Sequence, residues 1–138
     1  MKNFEFFEHT ADVGLRLQRP TREQLFVDAA RGMVELIAPN NDWHPKISKF
    51  VRAEGEDDEQ LLVNWLSELN FLFQTELLVP VEFRSVKMTA SEIRVELTAD
   101  RVHPDVHNIE LEVKAVTYHK ISVKQENDTW TAQVIFDI

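Results

Sequence analysis

The chain has 138 residues, 43% of them hydrophobic and 28% charged, with no cysteine and a formal net charge of −9. This length specifies a single domain, residues 1–138, with enough chain to bury a real core; the lack of cysteine excludes disulfides and cysteine-ligated zinc. Acidic residues number 24 against 15 basic ones, and no basic run exists. Direct, stable nucleic-acid binding is therefore not expected, because phosphate recognition relies on Lys and Arg releasing counterions. Divalent cations and basic protein surfaces are the better ligands for such a chain. No apolar run approaches the roughly 18–20 residues of a membrane span, and "MKNFEFFEHTAD" lacks a signal-peptide pattern. The expectation is a cytoplasmic protein without a membrane partner.

In chain order, "FEFFEHT" reads as a strand. "DVGLRLQ" sets Val13, Leu15 and Leu17 against Asp12, Gly14 and Arg16, the alternation of a half-buried strand. Thr21 and Gln24 then have capping-box spacing. Leu25, Phe26, Ala29, Met33, Leu36 and Ile37 recur at helical spacing until Pro39-Asn40-Asn41 stops the helix. "KISKFVRAEG" is a strand. "EDDEQ" places four acids before a second helix, where they complement its dipole. The apolar stripe of that helix is Leu62, Trp65, Leu66, Leu69, Leu72 and Phe73. Beyond Pro80 the period becomes two: "VEFRSVKMTA", "EIRVELTAD", "IELEVKAVTYHKISVKQ" and "WTAQVIFDI" read as four strands. Hairpin turns are expected at Ala90-Ser91 and at Glu126-Asn127-Asp128. The order ββαβα followed by four strands predicts an α+β two-layer sandwich, two helices packed on one face of a mostly antiparallel sheet.

Chemistry-bearing patterns are few. There is no Gly-rich phosphate loop, no HExxH and no G-x-S-x-G. His103 and His107 are four apart, but Pro104 between them argues against a helix presenting both; they read as polar loop residues, as does His44. Asp12 opens a strand and lies off its apolar face, as a turn-capping acid or a functional one. On the last strand Trp130, Ala132, Val134, Phe136 and Ile138 share one side and Asp137 lies on the other. Ile138 can thus anchor the chain end in the core and hold a terminal carboxylate beside Asp137. Fixed carboxylates repel unless a cation lies between them, and an oxygen-only cluster suits Ca²⁺, Mg²⁺ or Mn²⁺; a solvated acidic strand end accounts for the spacing equally. Lys114 falls on the polar side with Glu110 and Glu112, either in weak cross-strand ion pairs or offered to a partner. The alternation slips at Ala115-Val116, which suggests a bulge or a doubly buried stretch.

Four segments in order, "FEHTADVGLRLQ", "LLVNWLSELNFLF", "EVKAVTYH" and "VIFDI", together resemble the archease family over essentially the whole chain. The resemblance implies a small protein cofactor of an RtcB-type RNA ligase, not an enzyme in its own right. That ligase joins a 2′,3′-cyclic phosphate or 3′-phosphate RNA end to a 5′-hydroxyl end, using GTP, Mn²⁺ and a guanylylated histidine. Archease would promote guanylylation and multiple turnover, as in tRNA splicing and RNA repair. The resemblance also implies a divalent-metal site, for Ca²⁺ or for Mn²⁺ or Mg²⁺, at Asp12, Asp137 and Ile138. It implies a part for Lys114 in ligase activation, with His9, Glu112 and His119 as supporting residues. The chain departs from the family pattern at Ser67 and Asn70, where Asn and an aliphatic are usual, and at Asn108 after His107. The alternatives are a stand-alone metal-dependent phosphohydrolase and a general chaperone.

Overall fold

The computed structural model describes residues 4–9 and 11–138, without the side chains of Glu8 and His9. The element order is β1 (Glu5–His9), β2 (Asp12–Arg19), α1 (Arg22–Ile37), β3 (Ile47–Glu54), α2 (Asp58–Glu76), β4 (Leu78–Met88), β5 (Glu92–Arg101), β6 (Ala115–Glu126) and β7 (Thr129–Asp137). This is the α+β class and the element order that the periodicity predicts. The strands form two antiparallel sheets instead of one, in the orders β1-β2-β7-β6 and β3-β5-β4. Hairpin signals identify which neighbours in sequence pair; they do not tell whether the hairpins join into a single sheet. Each helix packs against strands of both sheets, and one core runs through all of them, from Leu15, Val134 and Phe136 through Leu25, Phe26, Trp65 and Leu66 to Ile93, Val95 and Leu97.

Both helix starts follow their sequence signals. The Thr21 hydroxyl accepts from the Gln24 N–H at 3.1 Å, and the Asp57 carboxylate accepts from the Gln60 N–H at 2.8 Å, each satisfying a donor the helix itself cannot. Arg22 joins the two starts through Asp58 at 2.6 Å. α2 ends without glycine: Leu77 takes the left-handed conformation itself, φ 55°. β4 begins at Leu78, before Pro80, which sits in an edge strand where its missing N–H costs no ladder bond. No helix of the described residues is long and apolar enough to cross a membrane.

One expected strand is shorter than its pattern. β6 starts at Ala115, although the alternation runs from Ile109. In residues 110–113 the main chain hydrogen-bonds to the helices: the Glu110 and Leu111 N–H groups donate to the Ile37 carbonyl at the end of α1, at 2.7 and 3.3 Å, and the Val113 carbonyl accepts from α2. An extended segment lying on helices shows the same in–out alternation as a strand in a ladder. Exposure alternates up to buried Val113. Lys114 and Ala115 are then both exposed and Val116 is buried. The irregularity of the β6–β7 ladder itself lies further on, between Thr117↔Ile135 and Ser122↔Gln133, where Lys120 has φ 52°.

Candidate functional site

Three separated motifs meet at one end of the four-stranded sheet. β2 and β7 pair antiparallel with Asp12 directly opposite Asp137, and Ala115 of β6 stands opposite Asp137 on its other side. Directly opposed residues of an antiparallel pair place their side chains on the same face, with Cα atoms roughly 4.5–5.5 Å apart. For Asp12 and Asp137 that is the outer face, because Val13 and Phe136 point into the core. Both aspartates are half-buried. Neither carboxylate has a hydrogen bond or ion pair among the described residues, so within them two acidic side chains face one another with no compensating partner, and like charges directly opposite destabilise a sheet.

The backbone around them is fixed. Ala11 turns the chain from β1 into β2 with φ 62°, a conformation costly for any residue but glycine, and its carbonyl accepts from the Ile138 N–H at 3.2 Å. Ile138 packs its side chain on the core, as its place on the apolar side of the last strand requires. The Asp137 carbonyl accepts from the Lys114 N–H at 2.8 Å. Lys114 itself is exposed, with no side-chain partner among the described residues. The ion pair with Glu110 or Glu112 that alternation allows is not formed.

One row further along the sheet, Phe7, Gly14, Ile135 and Thr117 stand opposite one another. Phe7 lies across Gly14 so closely that a Cβ there would come within 2.0 Å of the ring, and Arg16 stacks on the same ring at 4.0 Å. Glycine at position 14 therefore lets an aromatic cover the sheet beside the two aspartates and bury Ile135, which is 1% exposed.

The remaining candidates divide. His9 stands opposite Asp12 in the β1–β2 register, with its side chain outside the described residues, as is Thr10 of the "HTAD" stretch. Glu112 is exposed on the extended segment, two residues before Lys114. His119 is exposed inside the β6 irregularity, its N–H on the Thr117 hydroxyl at 3.3 Å. No contact among the described residues ties Glu112 or His119 to either aspartate.

The donor set at Asp12, Asp137 and the main chain of Ile138 is hard and carries the charge of two carboxylates, which fits Ca²⁺, Mg²⁺ or Mn²⁺. Among the described residues no three His, Asp or Glu side chains are grouped for a metal, so a cation here depends on two aspartates and the main chain.

Two features escaped the sequence reading. Asn70 and Gln74 of α2 both donate to the Val113 carbonyl, each at 2.9 Å, just before Lys114. His107 is buried, not a polar loop residue: it is 8% exposed and tilted against Trp43 with ring centres 4.2 Å apart. Its Nδ1 accepts from the His103 N–H at 2.9 Å. Beside it lies Asp100. Burial alone would raise the Asp100 carboxyl, but the His44 and Arg101 N–H groups, with Lys46 and His107 nearby, outweigh burial and hold it below the usual range. A four-residue His spacing with an intervening Pro carries no signal for this packing.

Comparison with known proteins adds an independent line. Residues 4–138 match the model of the Archease protein family (MTH1598/TM1083). The chain is 36% identical to protein archease of Pyrococcus abyssi, covering 100% of both chains, and 33% identical to protein archease of Methanosarcina acetivorans, covering 99% of this chain and 97% of that one. The solution structure of Methanobacterium thermoautotrophicum protein 1598 superposes with a TM-score of 0.80 at 31% identity over 100% of both chains. The crystal structure of TM1083 from Thermotoga maritima, titled an archease and "possible chaperone", superposes with a TM-score of 0.68 at 21% identity, covering 96% of this chain and 94% of that one, a likeness of fold.

Proposed function

The chain belongs to the archease family, and from that premise we propose that it is a metal-binding, non-catalytic activator of an RtcB-type RNA ligase. In this reading it promotes guanylylation and repeated turnover of the ligase during tRNA splicing or RNA repair in the cytoplasm. The observation that carries the reading is the directly opposed pair Asp12 and Asp137, without a partner for either carboxylate among the described residues. A fold keeps such a pair against its own stability when something outside the fold needs it.

Asp12, Asp137 and the main-chain oxygens of Ile138 would hold the cation. When bound, a divalent ion there neutralises the carboxylates and stabilises negative charge on groups brought to it. The chain's own residues do the rest. The Ala11 carbonyl holds Ile138, and the Asp137 carbonyl holds Lys114, so the acidic pair and one exposed ammonium are presented from a single rigid edge. An acidic helper with one cation at its tip can dock on a ligase basic enough to grip RNA without competing for the RNA phosphates.

The test is ligase turnover with and without this protein, at limiting and saturating Mn²⁺. Stimulation that is large at limiting Mn²⁺ and lost in Asp12→Ala supports the reading. Equal turnover with and without the protein at both concentrations overturns it. Phosphatase or nuclease activity of the pure protein would favour a stand-alone hydrolase instead. Protection of an unrelated aggregating protein would favour the chaperone role that the Thermotoga structure's title names.

A further inference from the structure

The peptide unit between Val113 and Lys114 is fastened at both ends. Its carbonyl accepts two hydrogen bonds from α2, from Asn70 Nδ2 and Gln74 Nε2 at 2.9 Å each. Its N–H donates to the Asp137 carbonyl at 2.8 Å. In a trans peptide the two groups point in opposite directions, so this single plane spans from α2 to the strand that carries Asp137. Four residues apart on a helix, Asn70 and Gln74 lie on one face, one above the other, which is why both reach the same oxygen.

Two donors exceed what stability needs. Gln74 alone satisfies the carbonyl, yet Asn70 is 6% exposed and its Oδ1 is buried without a partner. A buried, half-satisfied amide is costly, and an aliphatic at that position would avoid the cost. What the second amide adds is direction: with donors from two successive turns of α2, the peptide plane cannot rotate without breaking both. Polarising the carbonyl also strengthens the N–H bond at the far side of the same plane.

We propose that Asn70 and Gln74 are positioning residues for Lys114, a clamp from α2 that fixes where the lysine stands relative to Asp137. The proposal rests on the ligase-activator reading for its consequence and on geometry alone for its first step. Gln74 is exposed, so the clamp also exposes that step to whatever docks on this end of α2.

The variants are Asn70→Leu, which fills similar volume without the amide, Gln74→Leu, which alters only an exposed residue, and the pair together. Hydrogen exchange at the Lys114 N–H is measured on the full chain, with the Phe136 amide as an internal reference. Ligase stimulation and Mn²⁺ titration follow on the same samples. Losing the clamp should speed Lys114 exchange about tenfold, the equivalent of one or two lost hydrogen bonds, and leave Phe136 unchanged. Stimulation should fall toward that of Lys114→Ala while Mn²⁺ affinity holds. Unchanged Lys114 exchange in the double variant overturns the clamp; should that variant not fold, Gln74→Leu alone is judged by the same readout. Faster exchange with full stimulation, where Lys114→Ala abolishes it, overturns the functional consequence. Faster exchange with Lys114→Ala itself fully active leaves the clamp standing and overturns its consequence for activation by removing Lys114 from it, whereas no stimulation by the unaltered protein sinks the activator reading instead.

Discussion

Asp28 and Asp12 are the same residue type in opposite circumstances. Asp28, on α1, is 2% exposed and held by Arg19 at 2.5 Å and Arg31 at 2.8 Å. Both partners are cations, Arg19 is buried with it, and no charge is left over on the aspartate side. Asp12 is half-buried, faces another aspartate across β2 and β7, and meets no cation among the described residues. Asp100 lies between the two: buried, but satisfied by neutral main-chain donors. The comparison separates acids that hold the fold from acids that, on the proposed reading, the fold holds for a cation.

That separation is sharpest where the loss is largest. Asp28→Ala should destabilise by about 3–5 kcal/mol, because it takes the Asp28 carboxylate from the buried guanidinium of Arg19. Urea unfolding measures it, and Mn²⁺ affinity should not move in the fraction that remains folded. A loss no greater than a surface substitution gives would break the comparison at its structural end.

Asp100→Asn comes next and carries a pH signature. The Asp100 carboxyl is depressed in the folded state, so its contribution is present above the unfolded value, about pH 4, and is lost as pH falls through the lower folded value. The variant should be less stable than wild type at neutral pH, and the two should converge on acidification below about pH 4. Urea midpoints across pH 2–7, taken as about the accessible range, decide it; a gap that stays constant over that range shows that charge is not what Asp100 contributes.

Asp12→Ala should cost little or even stabilise, staying within about 1 kcal/mol of wild type, since it removes a like-charge neighbour of Asp137 and no core volume. Metal affinity and ligase stimulation should both be lost. Lys114→Ala should cost under about 1 kcal/mol and weaken stimulation alone. A sharp fall in melting temperature with stimulation intact would move Lys114 to the structural side of the divide.

The sequence carried some of this better than the rest. Capping at Thr21 is local chemistry, read from neighbouring residues and present as read; the acids read before α2 include the residue that caps it, Asp57. Asp12 and Asp137 stood out as off-face acids on strands, but their pairing needed the β2–β7 register, 125 residues apart in the chain, and entered the sequence reading only through family resemblance. The division into two sheets was not legible because alternation describes one strand at a time. Asn70 stood out only as a departure from the family pattern, and nothing local says that its partner is a carbonyl on a segment 43 residues away. His107 was misjudged for the same reason: burial under Trp43 is a tertiary fact.

The smallest expected effect on folding tests the edge of the comparison. In a polypeptide ending at Ile138, one glycine added after it converts a carboxylate into an amide and moves the terminal charge onward by one residue. The Ile138 side chain keeps its packing on the core, and its N–H keeps the Ala11 carbonyl, so stability should change by no more than about 0.5 kcal/mol, as for a surface change. The metal should notice. Affinity in oxygen-ligand sites follows the number of charged ligands, and the proposed site has few: two aspartates and, in such a polypeptide, the terminal carboxylate. Amidation of Ile138 removes the charge with almost no added bulk and isolates that term. A tag before Met1 is the control, since it leaves Asp12, Asp137 and Ile138 chemically unchanged. Calorimetric titration with Ca²⁺ or Mn²⁺ on native, amidated and tagged protein should rank amidated weakest, with native and tagged alike. Equal affinity in all three would leave Asp12 and Asp137 as the whole of the site and reduce Ile138 to an apolar anchor.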